Sequence, residues 1–140
     1  MKTLCCLIVL LPLVVFSQDL KQHLWQDRVL LVIADSYHND TFKKQVRGLI
    51  KNESGLVERK LIVYQISKTS YFLGVKDTDP IQSSKLYDRF NFDEKTFKVI
   101  LIGLDGGIKK KFDSYVSARQ IFETIDQMPM RKQELRSKND

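Results

Sequence analysis

Arg28-Val29-Leu30-Leu31-Val32-Ile33-Ala34, followed at once by the polar Asp35-Ser36-Tyr37-His38-Asn39-Asp40, is the stretch on which the fold turns. Val29 to Ile33 are all apolar, and each is leucine or β-branched. So short and unbroken a run reads as a strand buried on both faces, because a strand with one wet face would alternate apolar and polar residues. Asn39 or Asp40 supplies a side-chain oxygen to cap a helix that carries Phe42, Val46, Leu49 and Ile50 on one face. Gly55 closes that helical region, and Leu61-Ile62-Val63-Tyr64-Gln65-Ile66 is the next strand. A strand, a helix and a second apolar strand make a βαβ unit, whose crossover sets the two strands parallel.

A polar stretch around Thr69 to Pro80 follows, and then Ser83 or Ser84 starts a short helix that presents Leu86 and Phe90 and ends near Asn91. Phe97 to Gly103 reads as a third strand. Asp105-Gly106-Gly107 is a tight turn into Ile108 to Phe112, a hairpin in which positive φ accounts for both glycines. The last helix starts near Ser114, spaces Tyr115, Ala118, Phe122 and Ile125 three or four apart with Ile121 and Met128 beside them, and is stopped by Pro129. The expected fold class is α/β: a three-layer sandwich with a mixed central sheet, built from a βαβ unit, a helix, a β-hairpin and a C-terminal helix. That is the element order of a thioredoxin-like domain, and element order alone says nothing about activity.

Met1 to Gln18 combines Lys2, an uncharged apolar run from Leu4 to Phe16 and the small Ser17 ahead of Asp19. This is the pattern of a cleavable secretory signal peptide, and the run is shorter than the roughly 20 residues a bilayer-spanning helix needs. The expected product is secreted or periplasmic, without a stable membrane span after cleavage. It forms one domain over residues 19–134, with a flexible charged tail over 135–140. Cys5 and Cys6 are the only cysteines and both lie in the leader, so the exported part can form neither a disulfide nor a cysteine metal site. The formal net charge of +6 includes Lys2 and falls to +5 without it. An excess so modest and so evenly spread suits solubility and weak attraction to polyanions. Together with export it argues against nucleic acid as a partner.

The segments Val99 to Lys109, with Gly103, Asp105, Gly106 and Gly107, and Ile125 to Glu134, with Asp126, Met128, Pro129 and Arg131, resemble a known family. It is the domain of unknown function shared by sushi-repeat extracellular proteins, equarin and the matrix protein named for down-regulation by oncogenes. Trp25 to Arg28 and Arg59 are similar to its pattern too. The resemblance implies a thioredoxin-like, peroxiredoxin-related fold in an extracellular setting, with structural roles for the motif residues and no catalytic residue to carry over.

Thiol enzymes of this fold keep their reactive cysteines just after the first strand, where a helix N-terminus favours the thiolate. Here that loop is Asp35 to Asp40, with no sulfur, and serine cannot replace a thiolate in thiol exchange. The proline usual before the third strand in such enzymes is also missing from Phe92-Asp93-Glu94-Lys95-Thr96. Redox catalysis is therefore not expected, and neither a cofactor nor a metal is. Asp35, His38 and Asp40 have too few ligands for a preferred metal geometry, and no nucleophile elbow surrounds Ser36.

The leading expectation is a non-catalytic binding module for an acidic polysaccharide or an extracytoplasmic protein. Its contact residues would be Lys109, Lys110, Met130, Arg131 and Lys132, since methionine adapts to varied partners and arginine is frequent at interfaces. The blander account gives the lysines to guarding a sheet edge and Met128 to Arg131 to a helix stop. The alternative function is a thiol-independent enzyme or small-anion-binding protein, with Ser36, His38 and Asn39 around a helix N-terminus. Asn39 and Asn52 also fit the glycosylation acceptor pattern.

Overall fold

The computed structural model describes residues 20–140, so the leader read in Met1 to Gln18 lies outside the described residues. Strands β1 (Arg28–Ala34), β2 (Leu61–Ile66), β3 (Ser70–Leu73), β4 (Ile81–Gln82), β5 (Phe97–Ile102) and β6 (Ile108–Phe112) form one sheet in the order β4-β3-β2-β1-β5-β6. β1 is parallel to β2 and antiparallel to β5, while β3, β4 and β6 extend the sheet by antiparallel pairing. The sheet is mixed, and the βαβ unit and the hairpin stand where the apolar runs placed them.

β1 is buried along its whole length. Leu30, Val32 and Ala34 face Phe42, Val46, Leu49, Leu56, Ile121 and Ile125, which come from α1 (Asp40–Ile50), α2 (Glu53–Glu58) and α4 (Ala118–Asp126). Val29, Leu31 and Ile33 point the other way, toward Tyr64, Tyr71 and Leu86, the last from α3 (Lys85–Phe90). Side chains alternate across a strand, so one continuously apolar strand supplies both cores and the helices form a layer on each face.

Several boundaries differ from the sequence reading. The helical region after β1 is two helices, and Gly55 lies inside the second rather than closing it. A Cβ there would come within 2.5 Å of the Phe122 ring, so glycine at this site is a close-approach residue. The polar stretch after β2 contains β3, a strand of four residues, and β4 follows it with only two, both too short to show a period. The turn after β5 has Gly106 at φ +79°, whereas Gly107 does not adopt positive φ; its N–H instead donates to Asp105 Oδ1 at 2.9 Å.

The helix expected from Ser114 begins at Ala118. Ser117 and Gln120 form a reciprocal capping box at its start. The preceding segment is held by Gln45 of α1, fully buried, whose amide donates to the Val116 carbonyl at 2.7 Å and accepts from the Val116 N–H at 3.0 Å. Pro129 opens a further helix, α5 (Pro129–Asn139). Proline lacks the N–H that a first helical position leaves unused, so the same residue that ends α4 suits N1 of the next helix. The charged stretch from Leu135 read as a frayed tail is helical through Asn139. Among the described residues no helix is long and apolar enough to cross a membrane.

Candidate functional site

The loop from β1 into α1 holds Ser36, His38 and Asn39 together, but its polar groups are turned on one another. Asn39 caps α1: its Oδ1 accepts the Phe42 N–H at 3.1 Å, and its Nδ2 donates to the Thr96 carbonyl at 3.3 Å. Ser36 Oγ accepts the His38 N–H at 3.1 Å. Tyr37 turns inward, donating to the Ser70 carbonyl at 2.8 Å and packing on Phe42 and Phe72. His38 is exposed. The oxygens that would orient a ligand here already accept the loop's own N–H groups. A polar cavity of about 450 Å³ beside the loop is lined by Asp35, Lys68, Tyr87, Asp88, Glu94 and Thr96. Among the described residues no cluster of three or more His, Cys, Asp or Glu is placed to hold a metal.

At the opposite end of β1, about 20 Å away at the rise of an extended strand, the residues of the family-like pattern meet in a charge network. Arg131 and Arg28 are each 1% exposed. Arg131 donates to Asp126 at 3.2 Å, to Glu58 at 2.8 Å and to Glu134 at 3.2 Å. Arg28 donates to Glu134 at 3.1 Å and to the Arg59 carbonyl at 2.9 Å. Arg59 makes a bidentate pair with Asp126 at 3.0 and 2.8 Å and lies 4.2 Å over the Phe122 ring that Gly55 admits. Three guanidinium groups and three carboxylates balance. Arg131 is therefore an internal clamp between α5, α4 and α2 and not the exposed contact expected for it.

Burial opposes ionisation of Asp126 and Glu134, yet the arginine hydrogen bonds outweigh it and hold both carboxyls below their ordinary values of 3.8 and 4.5. Burial likewise opposes charge on Arg131, and its three carboxylate partners override it, raising the pKa. A carboxylate whose folded pKa is depressed stabilises the fold fully above the ordinary value and loses that contribution as pH falls through the folded one. Acidification below the ordinary carboxylate range is expected to free α5 first. In an NMR titration the amide resonances of α5 should shift while those of β1 hold; α5 resonances that stay put would mean the network does not anchor the helix.

The same end of the sheet carries the β5–β6 turn, and around it the remaining sequence candidates gather. Trp25, which adopts φ +63°, donates its N–H to the Leu104 carbonyl at 2.7 Å and is 65% exposed. Leu24 packs against Gly106, where a Cβ would come within 2.6 Å of it. Leu24, Ile108 and Met130 are also exposed. Asp105 pairs with Lys109 at 2.8 Å and also accepts the Gly107 N–H, and these bonds hold its carboxyl below the ordinary range. Lys109 and Met130 line one small cavity, with Lys110 and Lys132 exposed on β6 and α5.

Two cavities flank the turn and share Gly103 and Asp105. The larger, about 320 Å³, lies among Leu20, Leu24, Val29, Phe90, Ile102 and Ile108, with Arg89 also lining it. His23 lines it too, its ring fixed between Asp27 at 2.8 Å and the Tyr64 hydroxyl at 2.7 Å. Neither this hydrogen-bonded trio nor the exposure of Trp25 is legible in the sequence. Asp27 and Tyr64 lie far apart in the chain, and only the spacing of His23 and Asp27, one helical turn apart, hints at a contact.

No curated protein matches the sequence. The structure is similar to the reduced 2-Cys peroxiredoxin of Plasmodium vivax, with a TM-score of 0.58 at 15% identity over 81% of this chain and 84% of that one. It is also similar to Trgpx in its apo form, with a TM-score of 0.46 at 19% identity over 78% and 86% of the two chains. The peroxiredoxin likeness shows the thioredoxin-like fold and leaves the chemistry open, since residues 7–140 contain no cysteine. The family model of a domain of unknown function, DUF4174, matches residues 19–134, and the chain belongs to that family.

Proposed function

We propose that the chain is an exported, non-catalytic binding module that meets its partner with the sheet end bearing the β5–β6 turn. The observation that carries this reading is the gathering of exposed Leu24, Trp25, Ile108 and Met130 around one turn, beside Lys109 and Lys110. Exposed apolar side chains in one place mark an interaction surface more often than a solvated face. Aromatic and methionine side chains are what interface centres favour. The mixture of apolar and cationic groups suits a protein with an apolar, acidic face better than a polysaccharide. Export rests on the leader pattern, and the resemblance to domains of extracellular sushi-repeat proteins supports the same compartment.

The test is capture from the exported fraction by residues 19–140, with two altered baits in parallel. Trp25→Ala with Lys109→Ala is expected to lose the captured protein, while Ser36→Ala with His38→Ala keeps it. Loss in the Ser36/His38 bait instead would move the site to the β1–α1 loop. Turnover of a thiol, peroxide or ester by the purified domain would overturn the non-catalytic reading.

A further inference from the structure

The exposed side of α1 is a stripe of positive charge. Phe42, Gln45, Val46 and Leu49 are the buried residues of this helix. At about 100° per residue they share one side of it. Lys43, Lys44, Arg47 and the C-cap Lys51 fall on the opposite side, within an arc of roughly 100° and over about 12 Å of axis. All four are exposed. The only carboxylate of α1 is Asp40, in the first turn, where it complements the helix dipole.

Several exposed cations elsewhere in the domain are compensated. Lys76 pairs with Glu53, Lys109 with Asp105 and, one turn apart on α4, Arg119 with Glu123. Among the described residues, none of the four cations on α1 forms an ion pair. Like charges one turn apart, as in Lys43 with Arg47 and Arg47 with Lys51, oppose the helix. The pattern therefore does not serve stability, and an anionic surface laid against it would relieve the repulsion. Apolar and aromatic groups border the stripe. Ile50, 36% exposed, flanks it on the Lys43 side. On the other side, Lys44 lies 4.3 Å over the Tyr115 ring.

We propose that this face of α1 rests on an anionic lipid bilayer, with the four cations on lipid phosphates and Ile50 among the headgroups. Long basic side chains carry their charge to the headgroups while their methylenes lie along apolar surface, and tyrosine suits the same boundary. A soluble polyanion would meet the charges equally well, but only a bilayer gains from an exposed isoleucine beside them. The apolar side of α1 belongs to the core, so the contact is peripheral and reversible. This face shares no residue with the surface proposed for a protein partner, and either can hold without the other.

The test is sedimentation of residues 19–140, which include the whole sheet and both cores, with vesicles of phosphatidylcholine alone or with about one third phosphatidylglycerol. Capture is expected only on the anionic vesicles, and high salt should abolish it. A cation beside a charged bilayer contributes about fivefold in affinity, so Lys43→Gln with Arg47→Gln should weaken capture about 25-fold. Glutamine is a comparable helix former, so the melting temperature of this variant should not fall. Lys85→Gln with Arg89→Gln removes the same charge from α3, on the opposite layer, and should change capture by less than about threefold. Ile50→Ser should weaken vesicle capture about threefold and leave retention on immobilised dextran sulfate unchanged. Equal capture on neutral vesicles, parental affinity in the Lys43/Arg47 variant, or an equal loss in the α3 variant would each overturn the assignment. So would an Ile50→Ser effect that is the same on dextran sulfate as on vesicles.

Discussion

Arg131→Ala is expected to cost the fold about 3 kcal/mol, the range measured when one partner of a buried ion pair is removed. Arg131 is 1% exposed and bonds three carboxylates, and its Nη1 also donates to the Glu58 carbonyl at 3.3 Å. Removing it leaves Asp126 and Glu134 with one guanidinium each and Glu58 with only a longer contact to Arg59 at 3.7 Å. The carboxylate partners are 35%, 19% and 49% exposed, so water softens the loss, and the lower end of the range applies. For a domain of this size the melting temperature should fall by roughly 10 °C. Lys132→Ala, one residue along on the exposed face, should stay within about 0.5 kcal/mol. Combining Arg131→Ala with Asp126→Ala should cost less than the sum of the two, because each single change already breaks the bond the two residues share, leaving Asp126 in the first case with Arg59 alone. Additive losses would mean that the two residues act independently and that α5 is held by something else.

That prediction could not have been made from the sequence, and the reason is physical. Arg131 follows Met128-Pro129-Met130 on a stretch dense with Lys132, Arg136 and Lys138, and a basic run is ordinarily a solvated face. Of its three carboxylate partners, Glu134 lies three residues on and Asp126 five back, but Glu58 comes from α2, 73 residues away, and that long-range approach leaves no local period. The strands β1, β2 and β5 were legible because each is a mostly apolar run, broken only by Gln65 in β2 and Lys98 in β5, whose burial needs no partner to be named. The β5–β6 hairpin was legible from its glycines, and the cap of α1 from Asn39. β3 was not: its packing side chains, Tyr71 and Phe72, are aromatic residues in a polar neighbourhood, and it is a strand only because the edge of β2 pairs with it. The candidate site divides in the same way. Lys109, Lys110 and Met130 are exposed, whereas Trp25, Arg28 and His23 are held by neighbours that are remote in sequence.

Gln45→Met should destabilise the protein by about 2 to 5 kcal/mol, because it removes two hydrogen bonds while keeping the volume of the side chain. Gln45 is fully buried on α1, and its amide meets both the N–H and the carbonyl of Val116, much as a neighbouring strand would. Methionine leaves a buried donor and a buried acceptor without partners, and each such group costs about 1 to 3 kcal/mol. Gln45→Ala should cost more, since a cavity is added to the same unpaired groups. Gln45→Glu keeps an acceptor for the N–H but loses the donor and places a charge in the core, so it should be at least as damaging as alanine near neutral pH. Urea denaturation of the three variants gives the order directly. A methionine variant within about 0.5 kcal/mol of the parent would mean that Val116 finds other partners. The effect should not stay local. Val116 is the last buried residue before the Ser117 capping box, so releasing it frees the start of α4. Asp126, the carboxylate shared by Arg59 and Arg131, is the last residue of that helix. Loss of Gln45 should therefore loosen α5 as well, and NMR shifts of the α5 amides in Gln45→Met should resemble those of Arg131→Ala.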